Sequence, residues 1–206
     1  MIKTTAKIYR AEKEFFFRSL SRIFMVLALV YFLSAAGGLV LSLNNPSSTQ
    51  AAYDSIKASF ESKGFFKTSD NFQLFILIFL NNALAGFLSL LSGIVPFAFL
   101  SFWAVVGNGF LLGVVGAASF FLKKEPLMTL LSLFPHGIVE LPAFFYAASL
   151  GVYLSVAVAG RITGKGKIPV IGALKLAMRS FFLVALPLFL LAALLEAYVT
   201  YAIVSK

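Results

Sequence analysis

The chain has 206 residues, room for about one domain, with 60% hydrophobic and only 12% charged residues. Typical globular chains run at roughly 45–50% and about 25%, so a soluble enzyme, a nucleic-acid binder and a disordered tail are all excluded as the main account. No Cys is present, which removes disulfides, thiolate metal sites and thiol nucleophiles. The net charge of +9 is read as Lys and Arg facing anionic lipid headgroups, with the bilayer and not nucleic acid as partner.

The charges are clustered. None lies between Arg22 and Asp54 or between Asp70 and Lys123, and uncharged apolar runs of about 18 residues or more read as membrane spans. In chain order, residues 1–22 mix Ile8, Tyr9, Phe15, Phe16, Phe17 and Leu20 with six basic residues, the pattern of an amphipathic helix on a membrane surface. The first span covers 23–43, longer than the roughly 7–15 apolar residues of a signal-peptide core. The connection Asn44 to Asp70 follows, with a short helix expected over Ala51 to Phe60. The long uncharged run then divides at Ser92-Gly93-Ile94-Val95-Pro96, a breaker cluster, into spans over 72–93 and 97–121. Leu127 to Gly160 is apolar but interrupted by Pro135-His136-Gly137 and Glu140. It is read as one span over 138–160, preceded by a re-entrant or interfacial segment near Pro135 with irregular backbone at Pro135 and Gly137. A second amphipathic piece, Ile168 to Met178, is read either as lying on the membrane surface or as a short solvated connector before the last span, 181–204.

Lys and Arg asymmetry sets the orientation. Lys3, Lys7, Arg10, Lys13, Arg18 and Arg22 precede the first span; Arg161, Lys165, Lys167, Lys175 and Arg179 precede the last. Between Asn44 and Asp70, three basic and three acidic residues cancel. The expectation is a multi-pass protein of the cell membrane with a cytoplasmic N-terminus, a cytoplasmic 161–179 loop and an outer C-terminus. A six-span alternative would move five basic residues outside. The fold class is therefore all-α: a polytopic transmembrane helical bundle of about five spans, one integral membrane domain over 1–206.

Polar groups in hydrocarbon are costly unless paired, so their positions carry functional information. Asn81 lies nine residues from Phe72, roughly 14 Å deep, and Asn108 eleven from Phe97, about 17 Å. Consecutive antiparallel spans are expected to bring the two amides together in an inter-helical hydrogen bond, with Asn82 beside them. Asn82, Gly86, Ser89 and Gly93, and then Gly109, Gly113 and Ala117, repeat at helical spacing, a signature of close helix packing. His136, the only His, and Glu140 stand four residues apart, on one helix face. That face continues through Ala143, Ala147 and Gly151 into the bundle. The pair reads three ways: a mutually satisfied buried pair, a proton or ion site, or half of a divalent-metal site completed by Glu196 or other groups. No HExxH, GxSxG or phosphate-binding glycine loop occurs, so the chain is read as non-enzymatic.

The ordered set Phe79-Leu80-Asn81-Asn82-x-x-Ala85, Gly93, Asn108-Gly109-x-x-x-Gly113 and Leu133-Phe134-Pro135-His136-Gly137-x-x-Glu140-x-x-Ala143 resembles the stage II sporulation protein M family. The likeness is close over Phe72 to Arg161 and holds in span order over most of the chain. It implies a membrane anchor for an envelope complex, since the family's namesake looks like an anchor for peptidoglycan-degrading engulfment machinery; relatives in non-sporulating organisms widen that role. Two function classes follow. One is a membrane scaffold, a homodimer or other oligomer with envelope protein partners. The other is a small transporter, channel or permease subunit using His136, Glu140, Asn81, Asn82 and Asn108.

Overall fold

In a computed structural model, which describes residues 2–64, 70–96, 99–121 and 126–200 and, within them, every side chain except those of 2–5, 60, 126–136 and 200, each described element is helical. Helix α1 (Ile2–Phe15) passes through a π-helical turn (Phe16–Leu20) into α2 (Ser21–Leu43). Helix α3 (Pro46–Ser62) leads to α4 (Asn71–Leu91), which closes in a 3₁₀ turn (Ser92–Ile94). Then come α5 (Leu100–Phe121), α6 (Pro126–Ile162) and α7 (Val170–Ser180). A π-helical turn (Phe181–Ala185) joins α7 to α8 (Leu186–Leu194), and a further one (Leu195–Thr200) ends the described chain. Among the described residues, five stretches are long and apolar enough to cross a membrane: Ala6–Leu43, Asn71–Ile94, Leu100–Phe121, Gly137–Ile162 and Val170–Val199.

The boundaries have local causes. Asn44 and Asn45 donate side-chain amides to the carbonyls of Val40 (2.7 Å) and Leu41 (2.9 Å). Carbonyls at the C-terminal end of a helix lack intrahelical partners; the Val40 carbonyl also accepts the Asn44 backbone N–H at 3.3 Å. Pro46 then opens α3 at a first-turn position, where its missing N–H costs nothing. The Asp70 side chain accepts from the Phe72 N–H at 3.0 Å and caps α4. Gly164, at φ +69°, turns the chain between α6 and α7, and the Gly166 N–H donates to the Gly160 carbonyl at 2.8 Å.

Three expectations change. The irregular backbone expected at Pro135 and Gly137 is absent: α6 runs unbroken over 37 residues, roughly 55 Å, so the segment before Gly137 continues the same helix, beyond the apolar stretch Gly137–Ile162. The amphipathic piece at Ile168 to Met178 continues into the last span, because Ala173 and Ala177 are fully buried and Ala173 packs with Leu154 and Ala157 of α6. The helix after Asn44 is longer than Ala51 to Phe60; it begins at Pro46 and is tied to α2 by the Thr49 hydroxyl, which donates to the Ser42 carbonyl at 2.8 Å. The Val204 end of the expected last span lies outside the described residues.

Residue pairings give the helix directions. Tyr31 meets Gly109 and Ala35 meets Gly113, so α2 and α5 run parallel. Gly86 meets Ala147 and Gly93 meets Gly151, so α4 and α6 run parallel. Ser101 beside Gly151, with Val105 clustered with Phe145 and Ala148, makes α5 antiparallel to α6. Phe87 against Phe181 and Ile78 against Ala193 and Ala197 make α4 antiparallel to α7–α8. The five long helices therefore alternate in direction. The N-terminal segment and the 161–179 segment share one end, which is the basic end. Helix α6 is the centre of the bundle, with 61% of its apolar window buried against 17–39% in the others. Its small residues Ala143, Ala147, Ala148 and Ser149 are fully buried and let neighbouring helices approach.

Candidate functional site

The first layer of the site is backbone packing. A Cβ on Gly113 would run into the Ala35 carbonyl and lie 2.5 Å from the Leu39 nitrogen; one on Gly109 would strike the Tyr31 carbonyl. The Ser34 hydroxyl seals the same seam, donating to the Val106 carbonyl at 2.7 Å. In the 3₁₀ turn that closes α4, a Cβ on Gly93 would strike the Gly151 carbonyl, and one on Gly86 of α4 would lie 2.5 Å from the Phe189 ring. All four glycines singled out by spacing thus sit at close approaches within the subunit. Gly151, on the inward face read from the sequence, lines the α4–α6 seam, and Gly38 lines the α2–α5 seam. Gly38 is missing from the sequence reading although Ser34 and Ser42 flank it at the same four-residue spacing.

The polar residues divide into separate groups. The Lys63 ammonium, just past α3, donates to Asn81 Oδ1 at 3.0 Å, and Asn81 Nδ2 donates to Asn82 Oδ1 at 3.1 Å. Lys63 thereby brings a charge from the connecting segment onto α4, ten residues along from Asn71. Asn108 does not join them. It is exposed, and its Nδ2 donates to the Ala104 carbonyl of its own helix at 2.8 Å. The expected Asn81–Asn108 bond fails because α5 makes its main contact with α2, not with its sequence neighbour α4.

Glu140 is half-buried on α6 and lies within electrostatic range of Tyr31 on α2 and Glu196 after α8. Glu196 is the carboxylate that the metal reading pairs with Glu140. Neither carboxylate has a hydrogen-bond or ion-pair partner among the described residues. The Gly86–Ala147 pairing puts Glu140 level with about residue 79 of α4, so Asn82 lies roughly one turn away along the axis. The His136 side chain lies outside the described residues, so its pairing with Glu140 is not described. Among the described residues no three His, Cys, Asp or Glu side chains gather as a metal-ligand set. Glu140 and Glu196 are two oxygen ligands, short of the three that a catalytic zinc usually takes from protein.

A second polar centre escaped sequence reading. Glu12 on α1 is 2% exposed. It accepts from Arg179 Nε at 2.7 Å and from the Ser180 hydroxyl. These bonds pin the amphipathic segment to α7 across 167 residues of sequence. The one available signal was an acid inside a strongly basic segment.

The chain matches no curated protein and no solved structure. A family model does match, over residues 13–201, and that stretch holds all five apolar helices but for the first turns of α1, both glycine seams and the Asn81, Asn108 and Glu140 positions. The protein therefore belongs to the stage II sporulation protein M family, as a multi-pass membrane protein.

Proposed function

We propose that the protein is a non-enzymatic membrane scaffold, a component of an envelope complex in the cell membrane, with its basic end in the cytoplasm. The observation that carries this reading is the way its polar groups are used. Asn81 is engaged by Lys63, Asn108 by its own helix and Glu12 by Arg179, each locally, instead of lining one path between the two ends. Backbone-to-backbone seams at Gly109, Gly113 and Gly93 hold the helices as a rigid block, which suits a platform better than a gate. The α5 face around Asn108 supports self-association. Asn108 is exposed, neighbouring Gly107 has open space around it, and an amide is both donor and acceptor, so two copies can pair there.

A transport reading has one observation in its favour, the Glu140–Glu196 carboxylate pair inside the apolar segments. One experiment separates the two. Purified protein is reconstituted in liposomes carrying a pH-sensitive dye and an imposed proton or potassium gradient, beside protein-free liposomes and a Glu140→Gln variant. The scaffold predicts leak rates equal to protein-free liposomes for both proteins. A leak given by the parent protein and abolished by Glu140→Gln would replace the scaffold with a proton or cation carrier.

A further inference from the structure

Two adjoining cavities open at the basic end, on the flank of α1. One, about 330 Å³, is lined by Arg10, Lys13, Glu14, Phe17 and Arg18. The other, about 340 Å³, has walls that include Phe16, Phe17, Phe24, Tyr146 and Val184. They share Lys13 and Phe17, so a basic pocket opens directly onto an aromatic groove. We propose that this pair of cavities binds one anionic diacyl phospholipid, with its phosphate among Arg10, Lys13 and Arg18 and an acyl chain along Phe16, Phe24 and Val184.

Charge supports the headgroup end. Arg10, Lys13 and Arg18 form no ion pair among the described residues, and Glu14 alone opposes the three of them in that pocket. The other nearby acid, Glu12, is committed to Arg179 and Ser180. Arginine offers a planar fork of donors that matches phosphate oxygens, and lysine adds a mobile point charge. The wider distribution agrees. The segments 1–22 and 161–179 carry eleven basic residues and two acidic ones, so the whole net charge of +9 resides at this end while the remaining charges cancel.

Sterics support the chain end. The π-helical turn at Phe16–Leu20 inserts an extra residue into the helix, a feature common at functional sites. Phe16 turns inward, stacked on Tyr146 at 5.9 Å between ring centroids and edge-on to Phe24 at 5.6 Å. Phe17 stays 63% exposed beside Lys13. Phe24 and Val184 belong to stretches long and apolar enough to span a membrane, so the groove runs from the polar rim at Tyr9 and Lys13 along apolar segments. A free phosphate would gain nothing from this groove, and a zwitterionic lipid would gain little from three unopposed cations.

The test is native mass spectrometry of the full chain in an uncharged detergent, titrated with dioleoyl phosphatidylglycerol, dioleoyl phosphatidylcholine or glycerol phosphate. Three proteins are compared: the parent, the triple variant Arg10→Gln/Lys13→Gln/Arg18→Gln, and a charge-matched control, Arg161→Gln/Lys165→Gln/Lys167→Gln. The parent and the control are expected to retain one phosphatidylglycerol per chain in preference to phosphatidylcholine. The triple variant is expected to lose about a hundredfold in affinity, roughly fivefold for each cation removed. Equal retention by triple variant and control, or equal binding of the two lipids, would overturn the site as ordinary annular lipid. Glycerol phosphate binding as tightly as the lipid would overturn the acyl groove. All three cations are exposed, so the triple variant is expected to fold. If its yield fails, Lys13→Gln alone decides, with about a fivefold loss expected and no loss overturning the proposal.

Discussion

Gly113 shows how much one hydrogen atom in place of a side chain decides. Its α-carbon faces Ala35, Gly38 and Leu39 so closely that any Cβ meets backbone, and backbone, unlike the end of a flexible side chain, cannot step aside. Gly113→Leu is expected to destabilise the detergent-solubilised protein by roughly 1–3 kcal/mol through overpacking, lowering its thermal unfolding midpoint. Gly107→Ala is the contrast, since nothing lies within 4 Å of a Cβ there; its midpoint is expected to stay at or above that of the parent, because alanine favours helix over glycine by about 1 kcal/mol. Equal midpoints for Gly113→Leu and the parent would remove the α2–α5 seam from the load-carrying contacts. Asn81 and Asn108 make the complementary point at the same scale. Both are amides inside apolar helices, yet one is reached by Lys63 and the other turns to its own helix. Residue type alone does not select between these outcomes.

Among the elements, α1 depends most on a distant partner. Its outward face is polar and largely exposed, and Glu12 is its one fully buried described side chain. The carboxylate of Glu12 is held by Arg179, whose side chain is 49% exposed, and by Ser180. Removing Arg179 leaves the buried acid with a hydroxyl as its remaining partner. Arg179→Ala is expected to cost about 1.5–3 kcal/mol, the usual range for hydrogen bonds to a charged group. It is also expected to speed tryptic cleavage at Arg10 and Lys13, without a matching change at Lys165. Unchanged cleavage of α1 would mean that the Phe15–Tyr153 and Phe16–Tyr146 ring contacts hold the helix unaided. The π-helical turns belong to this scale as well. They join α1 to α2 and α7 to α8 without a break, so segments that look like separate amphipathic pieces are continuous in helix with the spans.

For the molecule as a whole, the alternating helix directions put the N-terminus and the Lys165 turn at one end and the connection bearing Asp54 at the other. With the basic end in the cytoplasm, a reporter that is active only in the cytoplasm should register at the N-terminus and at Lys165. An export-dependent reporter should register at Asp54 and after Lys206. The same side for Lys165 and Lys206 would contradict a single crossing by the last helix. The reverse assignment at every site would preserve the bundle and invert its orientation. The lipid proposal and the orientation are linked through the basic end, but they are measured separately, since lipid binding in detergent needs no topology.

Much of this architecture is present in the linear pattern. Charge-free runs locate the spans, Ser92-Gly93-Ile94-Val95-Pro96 marks the break between α4 and α5, the Lys and Arg clusters put two segments at one end, and the Gly86, Gly93, Gly109 and Gly113 spacing marks close packing. These features are legible because they are local: hydropathy, breaker residues and helical periodicity act within a few turns of one chain segment. Partnership is not local. That α5 lies along α2 and not α4, that Asn81 meets Lys63, and that a buried Glu12 holds Arg179 each depend on which helix faces meet across the bundle. In a membrane every span is apolar on nearly all sides, so hydrophobicity ranks no face above another. The choice falls to backbone fit and to a few hydrogen bonds, and these come into being only when the helices pack.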